Sequence, residues 1–166
     1  MSTLQTQLVK KTAIIDSGDF NLSASRYLKN EDIDTSSALF ELCDLIEIKN
    51  GYAFKSKNYV DNGVRIIRIK NVQKGQIVDT DPKFYPLSSL DDFKDYQLNN
   101  NDLLISLTGN VGRVGKINKD LLPAFLNQRV CKIKSITNSL NNDYLFLILN
   151  NELFENLAIQ NSSGSA

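Results

Sequence analysis

The segment at residues 107–117, LTGNVGRVGKI, constrains the fold most, because it sets three glycines between two stretches of strand-like composition. DLLISLTG (102–109) runs into the glycines, and RVGKIN (113–118) leaves them. Glycine adopts positive φ without steric cost, which suits a tight reversal of the chain. The segment therefore predicts an antiparallel hairpin that holds Arg113 and Lys116 out from the surface.

The same glycines do not fit a nucleotide-binding loop. A Walker loop requires four residues between its first glycine and the glycine–lysine pair, with a hydroxyl residue after the lysine. Here five residues separate Gly109 from Gly115, and Ile117 stands at the hydroxyl position. The dinucleotide fingerprint also fails, because Val111 occupies its second glycine position. The spacing therefore favours a hairpin turn over a phosphate cradle.

The remaining patterns predict an α+β fold, a twisted and mostly antiparallel sheet with peripheral helices. Three further segments are β-branched or alternate polar with apolar residues, as strands do: VRIIRIK (64–70), QIVDT (76–80) and RVCKIKSI (129–136). Residues 1–36 are polar and are read as an arm or linker. Residues 37–166 are expected to form the domain.

Three segments carry helical signals. NLSASRYLKN (21–30) fits a short helix capped by Ser23, and ALFELCDLIEIKNG (38–51) has helical apolar spacing, although its DLIEIK portion also fits a strand. The clearest helix is predicted at 141–161, with a cap at Asn141 or Asn142 and one leucine face comprising Leu145, Leu149, Leu153 and Leu157.

The composition excludes several kinds of chemistry. The chain has no histidine, so it has no Ser-His-Asp triad, no Cys-His pair and no histidine base. Its two cysteines, Cys43 and Cys131, are too few for a usual zinc site and are expected to be buried thiols. No apolar run approaches the roughly 20 residues of a membrane span, and no signal peptide is evident, so a cytoplasmic location is expected.

The net charge is zero, but the charges are segregated along the chain. Residues 51–75 hold six basic side chains and one acidic, and residues 106–134 hold six basic and one acidic. Acidic segments separate and flank these two basic blocks. Two interpretations stay open: the fold brings the blocks together into one positive face, or they are ordinary solvated strand faces.

Two other functions fit parts of the sequence. Asp34 with Glu47-Ile48-Lys49 resembles the metal-binding pattern of nucleases, in which an E-x-K strand and an upstream aspartate hold magnesium. The same residues also fit an ordinary charged face. A protein-interaction domain without DNA contact is the second alternative.

Aromatic and amide-bearing segments complete the picture. GYAFKSKNY (51–59) combines basic and aromatic residues, and NQR (127–129) is a run of amide and guanidinium groups. Lysine and arginine neutralise phosphates, whereas Arg, Asn and Gln read purine edges. Tyr52 and Phe54 are expected to anchor their loop into the core rather than to contact a ligand.

Five segments, in this order, resemble the target recognition domain of type I restriction–modification specificity subunits. That family shows a G-x-a-F-k-s-x-x-y opening, a G-x-x-y-i-R-i-x-n-i strand, a g-D-i-l-i-s-x-x-G-x-x-G hairpin, an n-Q-x-v strand, and a y-l-x-y-x-l helix ending near G-s-a. The first two motifs both fall in GYAFKSKNYVDNGVRIIRIKNVQKGQI (51–77). The other three fall in NNDLLISLTGNVGRVGKI (101–117), in FLNQRVCKIK (125–134), and in YLFLILNNELF followed by SGSA. The match covers roughly residues 37–166.

The resemblance implies a DNA methylase specificity domain-like fold and a role without catalysis. Such subunits carry two recognition domains joined by helical spacers, and each domain reads one half of a split double-stranded DNA target. Modification subunits dock on the spacers and carry S-adenosylmethionine and the methylating site, and a restriction subunit can join them. No cofactor is therefore expected in this chain, and S-adenosylmethionine and Mg are expected only in partner subunits.

The chain departs from the family pattern at both ends. It holds one recognition domain and stops at SGSA, without the spacer helix, so a fragment or half-length subunit is expected. FNLSASRYL (20–28) resembles sequence near the end of adenine-N6 DNA methyltransferase subunits, which a methyltransferase–specificity fusion or a shifted gene boundary would explain. An ordinary short helix is the alternative for this segment.

The expected DNA contacts follow from residue type and place. Phosphate contacts are assigned to Lys55, Lys57, Lys70 and Lys116. Base reading is assigned to Arg68, Asn71, Gln73, Arg113, Gln128 and Arg129, each of which carries a guanidinium or an amide.

Overall fold

The computed structural model describes residues 11–16 and 40–162. Residues 40–162 form one compact unit, and the short helix α1 (Lys11–Asp16) belongs to a second. The helix predicted at 21–30, Asp34 and the terminal SGSA lie outside the described residues. No helix in the described ranges is long and apolar enough to cross a membrane.

Nine strands follow one another within residues 40–162: β1 (Ile46–Asn50), β2 (Val64–Ile67), β3 (Val72–Gln73), β4 (Gly75–Ile77), β5 (Phe84–Tyr85), β6 (Leu103–Ser106), β7 (Val114–Lys116), β8 (Ala124–Leu126) and β9 (Val130–Ser135). Two helices come after them: α2 (Asn142–Leu149) and α3 (Glu152–Ser162). The α+β class predicted from the sequence is therefore confirmed.

The strands form two sheets rather than the single one expected. The larger sheet has the order β1-β9-β6-β7-β4-β3, and the smaller has the order β5-β2-β8. Two of the strand pairs are parallel, β2 with β8 and β4 with β7, and the other five are antiparallel. The prediction of mostly antiparallel pairing is confirmed.

The hairpin predicted from the glycines is confirmed, since β6 and β7 pair antiparallel. Gly109 and Gly112 have φ of +69° and +82°, values that favour glycine. Gly115 serves a different purpose within β7. A Cβ atom there would lie 2.5 Å from the carbonyl oxygen of Gln76, so only glycine permits β4 to pair so closely.

The helix favoured for residues 38–51 is wrong, and the strand alternative is correct. A single 3-10 turn (Leu42–Asp44) leads into β1, which pairs along its whole length with β9. Hydrogen bonds from a strand far along the chain override the local helical spacing. Cys43 in that turn is exposed, contrary to prediction, whereas Cys131 in β9 is buried as predicted.

The C-terminal helix predicted at 141–161 is interrupted. Asn141 caps α2 as predicted, with its Oδ1 accepting from the Asp143 N–H at 2.7 Å. α2 ends at Leu149 with Asn150 as its C-cap, and the Asn151 side chain then accepts from the Phe154 N–H at 2.9 Å. The predicted single leucine face is therefore wrong: two of its leucines are buried and two are exposed, in the order Leu145, Leu149, Leu153 and Leu157.

The core lies on both faces of the larger sheet. On one face, Leu103 and Ile105 of β6 pack with Leu145 and Leu149 of α2. On the other face, Leu104 of β6 packs with residues of the smaller sheet. The alternation along β6 thus places a helix and a second sheet on opposite sides of one strand.

An aromatic cluster covers the smaller sheet. Phe54 is 6% exposed and stacks on Phe125 of β8, with ring centroids 5.3 Å apart. Tyr52 contacts Phe54 and Phe93 at centroid distances of 5.1 and 4.9 Å. Tyr52 and Phe54 therefore anchor their loop into the core, as the sequence predicted.

Candidate nucleic-acid interface

Four segments meet where β2, β6 and β8 end and β7 and β9 begin: residues 68–73, 79–81, 107–113 and 127–129. We call this surface the loop end. The two sheets come together there, because residues 127–129 join the end of β8 in the smaller sheet directly to the start of β9 in the larger sheet.

Contacts between the segments make the loop end continuous. The Leu107 N–H donates to the Arg129 carbonyl at 3.1 Å, which joins the hairpin turn to the start of β9. A Cβ atom on Gly109 would lie 3.9 Å from Ile69 Cδ1, which places the turn beside residues 68–71. The two basic blocks of the sequence are therefore neighbours in the fold.

Asn71 supports the loop end from within. Its side chain is buried, and its Oδ1 accepts from the Arg68 N–H at 2.9 Å. Its Nδ2 donates to the carbonyls of Val78 and Thr80 at 3.0 and 3.1 Å. The amide predicted to read a base is thus engaged by the backbone on both sides of the loop.

Three cations surround the Asp81 carboxylate. Lys83 Nζ lies 2.9 Å from Oδ1, Arg68 Nη2 lies 3.2 Å from Oδ2, and Lys70 Nζ also contacts Oδ2. Hydrogen bonds from Lys70, Lys83 and Arg68, in that order, hold the pKa of the Asp81 carboxyl well below its ordinary value. The cluster carries three positive charges and one negative charge.

Gln73 and Arg113 form a second polar group at the loop end. Arg113 Nη1 donates to Gln73 Oε1 at 2.9 Å, while Gln73 Nε2 donates to the Lys70 carbonyl at 2.9 Å. Glu155 of α3 lies 3.7 Å from Arg113 Nε and 3.4 Å from Lys74 Nζ. The helix α3 therefore contributes a carboxylate that partly neutralises the hairpin.

Gln128 and Arg129 present exposed side chains on a fixed backbone. The Gln128 N–H donates to the Tyr52 carbonyl at 3.0 Å, and the Arg129 carbonyl holds Leu107. Neither side chain has a polar partner among the residues that the structure describes. These two groups are accordingly free to meet a ligand.

The three remaining predicted lysines lie away from the loop end. Lys116 is at the far end of β7, pairs with Asp143 and lies 5.1 Å from the Phe146 ring centroid. Lys55 and Lys57 are exposed on the aromatic loop, with the Lys55 N–H donating to the Tyr85 hydroxyl at 2.8 Å. Within residues 40–162, neither of these two ammonium groups has an acidic partner.

Ion pairing reduces the charge of both basic blocks. Among the described residues, seven of their twelve cations lie within 4 Å of a carboxylate: Arg65, Arg68, Lys70, Lys74, Arg113, Lys116 and Lys132. The carboxylates come from the acidic segments that follow each block. Asp81, Lys83 and Glu155 belong to this network, but they were not singled out from the sequence. Most of the ion pairs join residues far apart in the sequence, and no local pattern predicts such pairs.

The nuclease alternative gains no support from the described part of the chain. Glu47 and Lys49 lie on β1 opposite Lys134 and Lys132 of β9. In that part of the chain no three acidic, cysteine or histidine side chains are grouped to hold a metal. Asp34 lies outside the described residues.

Known proteins resemble the chain in sequence. A family model described as the type I restriction modification DNA specificity domain matches residues 36–166. The type I restriction enzyme EcoAI specificity subunit of Escherichia coli is 36% identical over 111 residues, which are 64% of this chain and 19% of the relative. The MjaVIII specificity subunit of Methanocaldococcus jannaschii is 27% identical over 119 residues, 69% of this chain and 28% of the relative. The chain thus spans less than a third of either relative.

Solved structures show the same fold. The HsdS subunit from Thermoanaerobacter tengcongensis superposes with a TM-score of 0.55 at 17% identity, over 80% of this chain and 31% of that one. A type I restriction–modification S subunit from M. genitalium gives a TM-score of 0.50 at 13% identity, over 76% of this chain and 29% of that one.

Proposed function

The chain belongs to the type I restriction modification DNA specificity domain family, and on that premise we propose that it binds double-stranded DNA sequence-specifically. In this role it sets the target site of a restriction–modification complex and performs no catalysis itself. Family membership also confirms the resemblance drawn from the five sequence segments.

The observation that carries the proposal is the state of Gln128 and Arg129. Both side chains are exposed at the loop end, while the backbone beneath them is tied to Tyr52 and Leu107. Donors held on a rigid scaffold lose little freedom on binding, and Arg and Gln are well suited to bidentate contact with guanine and adenine. We assign base reading first to these two residues.

Other groups are assigned by their surroundings. Lys55 and Lys57, which are exposed and without acidic partners in residues 40–162, are assigned to phosphate contacts on the aromatic loop, away from the loop end. Arg68, Lys70, Gln73 and Arg113 lie at the loop end in polar contacts that DNA would have to share or replace. Asn71 supports these groups from below, and Lys116 is the least favourably placed.

The partners follow the same proposal. A methyltransferase subunit, which supplies S-adenosylmethionine and the methylating site, is the expected first partner, and a restriction subunit is the second. We propose a cytoplasmic location for the chain and its partners, where their DNA target lies. Residues 37–166 are proposed as the recognition domain and residues 1–36 as its arm.

Fluorescence anisotropy with labelled duplexes across a salt series tests DNA binding. We expect an affinity for random duplex that falls steeply as salt rises, because phosphate contacts release counterions. Arg129→Gln should weaken binding, whereas Lys119→Gln, which removes an exposed charge beyond the far end of β7, should not. If no binding is seen even at about 20 mM salt, where charges are only weakly screened, the proposal is refuted.

Selection from a randomised duplex library tests sequence preference. The wild-type chain should enrich a short motif, and Gln128→Ala should relax one position of it by about 1–3 kcal/mol. If wild-type protein binds every duplex equally, the chain is a general DNA binder and the proposed specificity is wrong.

A further inference from the structure

We infer that Arg68, Lys70 and Lys83 form a binding site for one backbone phosphate of duplex DNA, and that the Asp81 carboxylate occupies the phosphate position in the free protein. The inference rests on the DNA binding proposed above. It goes further by adding Lys83 to the interface and by giving Asp81 a role opposite to that of the cations around it.

The geometry of the cluster matches a phosphodiester. A phosphodiester carries one negative charge on two non-bridging oxygens, as a carboxylate does. In the free protein Asp81 offers one oxygen to Lys83 at 2.9 Å and the other to Arg68 at 3.2 Å and to Lys70. Three cations around one anion leave an excess of two positive charges, which favours a polyanion.

The backbone that carries Arg68 and Lys83 is held without the Asp81 carboxylate. The Arg68 N–H is bound by Asn71, whose amide also holds the Thr80 carbonyl. The Lys83 carbonyl accepts from the Ile66 N–H at 2.7 Å, which fixes Lys83 beside β2. The site is thus built from backbone positions that do not depend on the Asp81 side chain.

The cluster also has a hydrogen-bond donor without a partner among the described residues, and it is accessible to solvent. Arg68 Nε is buried and has no hydrogen-bond partner among the described residues. The side chains of Lys70, Asp81 and Lys83 are 41%, 47% and 39% exposed, so a strand of DNA can reach them. Ion pairs exposed to this degree are weak in water and exchange readily for a new anion.

The Asp81 carboxylate then lowers the affinity of sequence-independent DNA binding. Its carboxylate competes with every phosphate in the same way, whatever bases lie nearby. A lower affinity for random DNA leaves a larger share of the binding free energy to contacts with bases. Because this competition is the same at specific and random sites, it sets the overall affinity for duplex DNA and leaves the ratio between the two kinds of site unchanged.

Two substitutions in the full 166-residue chain test the site. Asp81→Asn removes the charge and keeps the shape, and asparagine tolerates the φ of +50° at this position. Lys83→Gln removes one cation. Lys119→Gln is the matched control, because it removes an exposed lysine charge beyond the far end of β7.

Affinities for a random duplex are measured by anisotropy at 50 and 200 mM salt. For Lys83→Gln, the negative slope of log K against log salt should be smaller in magnitude by about 0.9. The ratio of wild-type affinity to variant affinity should therefore decrease by about 3.5-fold over this range of salt. Asp81→Asn should bind more tightly than wild type at 50 mM and show a slope steeper by up to about 0.9. Circular dichroism spectra of the variants should match wild type.

The outcomes separate this site from the function on which it rests. If wild-type protein fails to bind any duplex, the proposed function and the site are both refuted. If wild-type protein binds but Asp81→Asn and Lys83→Gln behave like Lys119→Gln, only the phosphate site is refuted.

Inorganic phosphate distinguishes the two sources of the ligand. Added at matched ionic strength, it should displace duplex no better than chloride does, because a single phosphate lacks the neighbouring charges of DNA. Displacement by phosphate from wild type but not from Lys83→Gln would identify free phosphate as the ligand and overturn the assignment to DNA.

Discussion

Replacing Asn71 with alanine should destabilise the protein and disorder the loop end. The side chain is 3% exposed and joins three backbone groups, at 2.9 Å to the Arg68 N–H and at 3.0 and 3.1 Å to the carbonyls of Val78 and Thr80. Alanine leaves all three without that partner. Each such bond contributes about 0.5–1.5 kcal/mol, so the free energy of unfolding should fall by about 2–4 kcal/mol.

Urea unfolding followed by circular dichroism measures this loss. With a denaturant slope of about 2 kcal/mol/M, the midpoint of Asn71→Ala should lie about 1–2 M below wild type. Gln73→Ala is the matched control. The Gln73 amide makes two hydrogen bonds, but it lies at a partly exposed surface where water can replace them. This substitution should cost less than about 1 kcal/mol.

A single result would refute this reasoning. If Asn71→Ala unfolds at the wild-type urea concentration and instead loses preference at one base pair, Asn71 reads DNA and does not support the loop. Asn71→Asp refines the comparison, since it keeps the acceptor for Arg68 and loses both donors to the carbonyls. Its stability should therefore not exceed that of wild type.

Three further predictions concern other parts of the fold. Gly112→Ala should cost about 1–3 kcal/mol in unfolding free energy, because φ is +82° and the new Cβ would lie 2.7 Å from Ala158 Cβ. Iodoacetamide should modify exposed Cys43 in the native protein but reach Cys131 only after unfolding, since Cys131 is buried and burial raises the pKa of its thiol. The Asp81 carboxyl has a depressed pKa, so it stabilises the fold above its ordinary value of 3.8 and this contribution is lost as pH falls below it. Because the carboxylate is exposed and its ion pairs are weak in water, Asp81→Asn should lower the urea midpoint only slightly at pH 7 and even less in strong acid.

Each of these has an internal comparison. Gly109→Ala introduces the same backbone strain at φ +69°, but its Cβ would meet only Ile69 at 3.9 Å, so it should cost less than Gly112→Ala. Equal costs would mean that contact with α3 is unimportant. Mass spectrometry should find one alkylated thiol natively and two in denaturant; two from the start would contradict the burial of Cys131. An effect of Asp81→Asn that is equal at both pH values would show that the lost charge is not responsible.

Local patterns predicted the elements whose causes are local. The glycines at 109 and 112 require a turn, and the alternation in RVCKIKSI marks a strand with one buried face, so the hairpin and β9 could be predicted. The break between α2 and α3 had a signal that was overlooked. Asn150-Asn151 followed by Glu152 is a typical stop and new cap within a leucine pattern that continues across it.

Features that depend on distant partners could not be predicted. Residues 46–50 have both helical and strand character, and only pairing with β9 decides between them. The candidate site shows the same limitation. Arg68 and Asn71 were selected for their side-chain chemistry, but their partners lie on a loop that sequence patterns cannot position. The assignment of Gln128 and Arg129 to base reading stays a prediction: their side chains are exposed, and hydrogen bonds to Tyr52 and Leu107, both distant in sequence, fix their backbone.

The pairing of β1 with β9 has a consequence for the synthesis of the protein. Partners in this ladder are separated by 81 residues between Asn50 and Cys131 and by 89 between Ile46 and Ser135. At about 5–20 residues per second, a ribosome takes about 4–17 s to make β9 after β1 has emerged. Throughout this interval β1 lacks its partner strand, so this edge of the larger sheet cannot close until β9 has been made.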